Sequence, residues 1–291
     1  MNSRNILISV NDAYVKHCIV MLSSYFRHNS SNSTIYLLYN HINYNKYKEL
    51  ETFILSHNSR LVGIKLSLED VELPKNIDSR FSEEVYYRIV ASKLLPQNID
   101  RALWLDSDLI VLGDISNLYD MNFDGKSIIA CRDFNYDSNS ICSLKKELGL
   151  ENGHDYFNSG VILFNLRKIR KNPPQTQMTQ IIKRIGDKIV YPDQDILNLI
   201  YTSDVKYTNR IRYNFQTNLT NDVDADNLGI ICLHYAGNKK PWDPLHSRNV
   251  AKYYWNEAKI AGFRKEWIMF VIKHMAALPY IKYKRSYHKN Y

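Results

Sequence analysis

Two carboxylates one residue apart, Asp106 and Asp108, interrupt an apolar stretch, Arg101-Ala-Leu-Trp-Leu-Asp-Ser-Asp-Leu-Ile-Val-Leu112. Acids this close in apolar surroundings repel unless a cation lies between them. Oxygen ligands favour a hard divalent ion, Mg²⁺ or Mn²⁺, whose remaining positions substrate phosphates can fill. The stretch is rich in Leu, Ile, Val and Trp and reads as one buried strand. On a strand, residues i and i+2 share a side, which brings Asp106 and Asp108 together and turns Ser107 away. A solvated turn at a strand end would carry the same tripeptide. So would an aspartyl-phosphate phosphatase, but its motif lies at the first strand with Thr or Val in fifth place. Here that place holds Ile110, a third of the way along the chain.

Four further clusters could serve such a site. Arg88, on the helix before the carboxylates, could neutralise them or hold a diphosphate, or lie on the surface. Asn158-Ser159-Gly160 reads as a tight turn feeding a buried strand, with Gly160 allowing a close approach to a ligand and Asn158 offering an amide to sugar hydroxyls. In Asp193-Gln194-Asp195 either acid can cap a helix, or the three can hold a polyhydroxylated ligand. His234 ends a buried strand and can give a nitrogen ligand. Beyond it, Gly237 by close approach and Lys240 as a point charge can follow phosphates.

The elements that must position these residues alternate. Strands are expected at 5–10, 34–39, 60–66 and 101–106, and helices at 14–26, 43–57 and 82–95, the last stopped by Pro96. Asn11-Asp12 forms the turn and cap between the first pair. This alternation implies a parallel α/β sheet with right-handed crossovers, whose ligands bind beyond the strands' C-terminal ends. The turn after the first strand and the Asp-Ser-Asp end of the fourth then share a cleft. Beyond Leu112 the pattern loosens into strands at 127–132, 161–165 and 230–235. Helices are expected there at 141–148, 175–185, 194–201 and 248–261.

The chain has 291 residues, 45% hydrophobic and 23% charged, with a net charge of +8. It is long enough for a sizeable core, and its charge favours anionic partners. Cys18, Cys131, Cys142 and Cys232 form no Cys-x-x-Cys and read as buried reduced thiols of a cytoplasmic protein. No secretory h-region opens the sequence, and no stretch is apolar enough to span a membrane. Residues 264–278 read as an amphipathic helix ended by Pro279. Residues 280–291 follow, basic and aromatic without an acid. This composition suits an anionic bilayer surface, a nucleic acid, or a packing helix with a frayed end. The expected organisation is a main domain over 1–262 and a tail over 263–291.

Taken together, Asn11-Asp-Ala-Tyr14, Arg88, Leu105-Asp-Ser-Asp108, Tyr156-Phe-Asn-Ser-Gly160, Asp193-Gln-Asp195 and His234-Tyr-x-Gly-x-x-Lys-Pro-Trp242 resemble glycosyltransferase family 8. The motifs keep the family's order over residues 5–245. That family includes bacterial lipopolysaccharide galactosyl- and glucosyltransferases and glycogenin. The resemblance implies a GT-A fold, with a Rossmann-like, mostly parallel sheet flanked by helices. It also implies retaining transfer of galactose or glucose from UDP-galactose or UDP-glucose, assisted by Mn²⁺, with Mg²⁺ as the alternative. On this resemblance Asp106, Asp108 and His234 are the metal ligands, and Ser9, Asn11 and Tyr14 face the uridine. Arg88 meets the donor near the Asp-x-Asp pair, and Asp133, Asn158, Asp193 and Gln194 hold the donor sugar. Gly237 and Lys240 follow the diphosphate, and Ser107 and Ser159 sit within the matched donor-binding motifs. Gln194 and Asp193 are the catalytic candidates, with Gln194 expected to stabilise positive charge during front-face attack. The implied acceptor is a glycan, best a membrane glycolipid such as lipopolysaccharide core. The implied location is the inner face of a bacterial cytoplasmic membrane, with no nucleic-acid partner. A non-catalytic binding module and a metal-dependent hydrolase are the rival readings.

Overall fold

The computed structural model describes residues 3–29, 32–67, 70, 83–150, 154–245 and 249–287. The expected helix starts at Ser82 and Arg248, and the last four residues of the tail, lie outside them. The first half alternates as expected: β1 (Arg4–Ser9), α1 (Val15–His28), β2 (Ser33–Tyr39), α2 (Tyr44–Leu55), β3 (Arg60–Lys65), α3 (Tyr87–Leu94) and β4 (Arg101–Leu105). Then come β5 (Leu109–Val111), α4 (Ser116–Tyr119), β6 (Ile128–Arg132), α5 (Asn139–Leu148), β7 (Phe157–Asn165), α6 (Leu166–Ile169), α7 (Gln175–Ile185) and α8 (Pro192–Ile200). The chain closes with β8 (Val205–Thr208), α9 (Arg210–Tyr213), β9 (Phe215–Gln216), β10 (Cys232–His234), α10 (Ala251–Ile260) and α11 (Arg264–Tyr287).

Seven strands form the main sheet in the order β3-β2-β1-β4-β7-β6-β8. β1 runs parallel to β2 and β4, β2 to β3, and β6 to β8; only β7 is antiparallel to its neighbours β4 and β6. The sheet is therefore mixed and mostly parallel. Both faces are covered, so its strands read as unbroken apolar runs. Along β1, Ile6 and Ile8 pack into one core with α1 and α2, and Leu7 points into the other with α3, α7 and α8. Leu103 and Leu105 of β4 share the first side, and Ala102 and Trp104 the second.

The expected strand over 101–112 is two strands. β4 ends at Leu105, and β5 pairs antiparallel with β10 in a separate three-stranded sheet, β5-β10-β9, with Leu109 opposite His234. The last bond of β4 runs from the Asp106 amide to Gly160 O (3.0 Å), and the next cross-strand bond runs from the Tyr235 amide to Asp108 O (3.0 Å). Asp106-Ser107-Asp108 is thus the crossing between sheets. The two acids converge because the chain turns there, not because they alternate on one strand.

Three other expectations change. Asn158-Ser159-Gly160 lies inside β7, which pairs Cys131 with Asn158 but Ala130 with Ile162. The extra β7 residues are a bulge, which re-aims side chains without breaking the strand. Neither Asn11 nor Asp12 caps α1. Asn11 Oδ1 accepts from the Ala13 amide (3.1 Å), and Asp12 Oδ1 accepts from the Asn43 amide (2.6 Å) before α2. Pro279 does not end α11, which runs on to Tyr287. The carbonyl one turn back, at Met275, belongs to a residue 64% exposed, where water can replace the lost bond. Of the cysteines, Cys142 is only half-buried.

α10 is tied to α1 by Glu257, which is fully buried, accepts from Ser23 Oγ (2.5 Å) and pairs with Arg27. Arg27 is half-exposed, but removing it strands the buried Glu257 charge. Arg27→Met should therefore lower unfolding free energy by about 3 kcal/mol in urea titrations. Arg167→Met, which breaks the exposed Arg167–Asp100 pair, should cost less than about 1 kcal/mol.

Candidate active site

The β1 and β4 ends open on the same edge of the main sheet, and the small sheet brings His234 to face them. Asp106 Oδ1 accepts from Trp104 Nε1 (2.8 Å) and pairs with Arg88 Nη2 (2.9 Å). That leaves Oδ2 toward His234 Nε2, 3.8 Å away. Asp108 repeats the arrangement: Oδ2 pairs with Lys240 Nζ, and Oδ1 lies 3.3 Å from His234 Nε2. In each carboxylate one oxygen is held by a cation and the other faces the imidazole. Ligand atoms of Asp106, Asp108 and His234 all lie within 4.8 Å of one another. Burial raises the Asp108 pKa, but Lys240 outweighs it and holds the carboxyl well below the usual range. Burial likewise works against the Lys240 charge, and Asp108 reverses it, so Lys240 keeps its proton more firmly than a free lysine.

The tautomer of His234 is fixed from a distance. The Gly160 amide donates to Asn158 Oδ1 (3.0 Å), which also accepts from Asn214 Nδ2 (2.8 Å). Asn214 therefore presents Oδ1 to His234 Nδ1 (2.8 Å), and the proton sits on Nδ1. The Nε2 lone pair is left facing the two carboxylates, as a metal-binding histidine needs. Two carboxylate oxygens and one imidazole nitrogen, oriented in this way, fit a divalent cation. Gly160 closes the arrangement from behind: a Cβ there would lie 2.3 Å from His234 Cε1 and 3.0 Å from Asp106 Oδ2. The close approach that this glycine allows is to the ligands themselves.

Residues 5–245 match glycosyl transferase family 8. The chain belongs to that family. It is a glycosyltransferase. A lipopolysaccharide 1,2-glucosyltransferase of Escherichia coli is 24% identical over 274 residues, 89% of this chain and 79% of that protein. A lipopolysaccharide 1,3-galactosyltransferase of Salmonella typhimurium is 26% identical over 205 residues, 66% of this chain and 59% of that protein. Crystal structures of LgtC share the fold at 23% identity, covering 88% of this chain and 95% of theirs. The TM-score is 0.76 for an active-site mutant and 0.74 for a complex with donor and acceptor sugar analogs. The mixed sheet of this chain is accordingly a GT-A fold.

In this family 8 chain the expected residues gather around two adjoining hollows. Ser9, Asn11 and Ser107 line the smaller one. Asp133, Asn158, Ser159, Asp193, Gln194, His234, Gly237 and Lys240 line the larger, of about 430 Å³. Tyr14, Arg88, Asp106 and Asp108 border both. Arg88 is buried: it stacks 4.3 Å from the Trp104 ring, donates to Ser159 O (2.8 Å) and lies 3.2 Å from Asp193 Oδ2. Burial still raises the Asp193 pKa, with Arg88 pulling the other way. Asp195 is structural. Its Oδ2 accepts from the Val190 and Tyr191 amides (2.8 and 2.9 Å) at the start of α8, and its Oδ1 takes the Tyr156 hydroxyl.

Gln194 is anchored on β7. Its Oε1 accepts from Asn158 Nδ2 (2.9 Å) and from the Ser159 amide (3.1 Å). A backbone N–H can only donate, so this end of the amide is the carbonyl. Asn214 and Gln216 escaped the sequence reading; Gln216 Nε2 donates to Asp133 Oδ2 (3.0 Å). The signal was present in Asn214-Phe-Gln-Thr-Asn218, where amide side chains recur at every second position.

Gly160→Ala should leave the circular dichroism spectrum intact while weakening Mn²⁺ binding by about ten- to a hundredfold in calorimetry. Unchanged affinity would mean that the cation does not bind at these three residues.

Proposed function

We propose that this chain moves galactose or glucose from a UDP-sugar to a lipid-linked glycan, retaining the anomeric configuration, with Mn²⁺ held by Asp106, Asp108 and His234. The observation that carries the reading is the charge pattern of the cleft. Three ligand atoms are oriented toward one point, and the buried Arg88 and the half-buried Lys240 flank them beside a wall of amides and carboxylates. The relatives named above act on lipopolysaccharide with glucose or galactose, which supports a hexose donor and a membrane glycolipid acceptor.

When the glycosidic bond breaks, negative charge grows on the departing diphosphate. Lys240, firmly protonated, and the Gly237 backbone are suited to meet it. A divalent cation at the three ligands would add Lewis-acid stabilisation of the same oxygens. The sugar ring becomes electron-poor, and Asp133 and Asp193 are the cleft carboxylates assigned to face it. Asp133 is kept in place by Gln216 and by the Asn135 amide (2.9 Å to Oδ1). Gln194 Nε2 is assigned to a donor-sugar hydroxyl, a revision of the electrostatic role expected for it. Front-face attack, with the acceptor hydroxyl entering beside the leaving phosphate, accounts for retention with Asp133 and Asp193 contributing charge alone.

UDP release from a panel of UDP-sugars with a glycolipid acceptor tests this reading. Turnover should need Mn²⁺ and a UDP-hexose, and Asp108→Ala should lower it at least about a hundredfold. Release that is as fast without acceptor would identify a hydrolase instead.

The same proposal places the protein at the inner face of the cytoplasmic membrane. Among the described residues no helix is long and apolar enough to cross a bilayer. α11 packs on α10 through Phe270, whose ring lies 4.5 Å from that of Trp255. Its other face exposes Ile268, Met269, Ile272 and Met275, flanked by the exposed Lys265 and Lys273. Apolar residues at helical spacing beside lysines suit an anionic interface. The wild type should sediment with phosphatidylglycerol vesicles and far less with phosphatidylcholine vesicles. Ile272→Asp with Met275→Asp should abolish sedimentation while leaving UDP binding intact.

A further inference from the structure

His17 is a buried histidine to which no role has been given above. It lies on α1, one turn beyond Tyr14, and is 4% exposed. Its ring stacks on that of Trp242, with centroids 3.5 Å apart and planes 14° from parallel. Its Nδ1 is 2.6 Å from the Tyr254 hydroxyl on α10. Tyr14 meets both rings edge-on, at 5.6 Å from His17 and 5.9 Å from Trp242. Trp242 closes the segment that carries Gly237 and Lys240, and the Trp255 indole grips the same segment through Pro241 O (3.0 Å).

We infer that His17 is a positioning residue for donor binding: through its face-to-face stack on Trp242 it holds Tyr14, on one side of the cleft, and the Gly237–Lys240 segment, on the other, in a fixed relation. The inference rests on the UDP-sugar reading given above. A histidine this close to a diphosphate site invites two other roles, as a cation for phosphate or as a general base. Burial argues against both. Burial first, and then Lys16 on the same helix and Lys240 across the cleft, outweigh the pull of Asp108 and lower the imidazole pKa to about 3. The ring is neutral at working pH and acts as a flat surface. Its Nδ1 bond to Tyr254 sets the angle of that surface, and the stack transmits it to Trp242. Aromatic pairs in buried, oriented contact contribute beyond the area they cover.

Two substitutions separate the stack from the hydrogen bond. His17→Phe keeps the flat ring and loses the bond to Tyr254. His17→Asn keeps a polar partner for Tyr254 and loses the ring. UDP affinity is measured by calorimetry with Mn²⁺ present, thermal melting is recorded alongside, and Trp242→Leu breaks the same stack from the other side. His17→Phe should bind UDP within about threefold of wild type, whereas His17→Asn and Trp242→Leu should bind about tenfold more weakly. The KM for donor should rise in the same proportion while kcat changes little.

Equal weakening in His17→Phe and His17→Asn would overturn the inference in favour of a direct polar contact. Lowered melting temperatures with UDP affinity unchanged in all three would reduce His17 to a core residue. If His17→Asn does not fold, Trp242→Leu against His17→Phe carries the same comparison. Wild type that fails to bind UDP at all would instead remove the donor reading on which the inference stands.

Discussion

The structure depends on keeping two carboxylates close together in a partly buried place before any ligand arrives. Asp106 and Asp108 lie on the crossing between two sheets, where neither strand's ladder covers them. Each is held by a cation on its outer oxygen: Arg88, from the helix before β4, for Asp106, and Lys240, from the segment after β10, for Asp108. Both cations are themselves shielded, Arg88 by the Trp104 ring and Lys240 by the Tyr235 carbonyl (3.0 Å). Breaking either pair would leave an uncompensated charge out of water, which is costly. The pairing thus fixes the helix before β4 and the segment after β10 around the same pair of acids, and it leaves the inner oxygens free to bind.

A second constraint orders the remaining wall. Amide side chains have interchangeable ends, and a wall built from Asn158, Gln194 and Asn214 could adopt several hydrogen-bond patterns. Two backbone N–H groups of the β7 bulge, Ser159 and Gly160, remove that freedom, since each can only donate. One pattern follows, running to the His234 ring in one direction and to Gln194 in the other. The bulge is therefore part of the chemistry of the site. A regular strand would aim these amides elsewhere, and any side chain at Gly160 would collide with His234.

Much of the frame was legible because it obeys periodicity. β1, β2, β3 and β4 are apolar runs separated by helical spacing, and the rule that ligands collect at the strands' C-terminal ends placed Asn11, Tyr14, Asp106 and Asp108 together. The Asp-x-Asp pair was visible because acids are rare within apolar runs. What stayed hidden depends on long-range pairing. The break between β4 and β5 is invisible in a stretch that is apolar on both sides of Ser107; only the antiparallel partner β10 reveals it. The bulge at Asn158-Ser159-Gly160 has the composition of a turn, and register alone tells the two apart. Pro279 was read as a stop because local sterics forbid it inside a helix, yet a solvent-facing turn tolerates the missing bond. Asn214 and Gln216 show only as alternating amides, because each matters through a partner far away in sequence.

The orientation of Gln194 shows how such pairing changes a mechanistic reading. From sequence, an amide next to an acid at a helix start could offer either its oxygen or its nitrogen to the sugar. The oxygen would oppose positive charge on the ring; the nitrogen would bind a hydroxyl. The Ser159 amide decides between them by claiming the oxygen. On the proposed function, stabilisation of an electron-poor ring would then fall to groups that carry real negative charge, Asp133 and Asp193. Asp133 accepts bonds from Asn135, Gln216 and Asn158, whereas Asp193 has Arg88 as its counter-charge, with burial raising its pKa. Asp133 is thereby the acid whose charge is best solvated by fixed dipoles. A group held in this way needs no rearrangement when charge develops opposite it, which is the condition under which an electrostatic contribution to catalysis is largest.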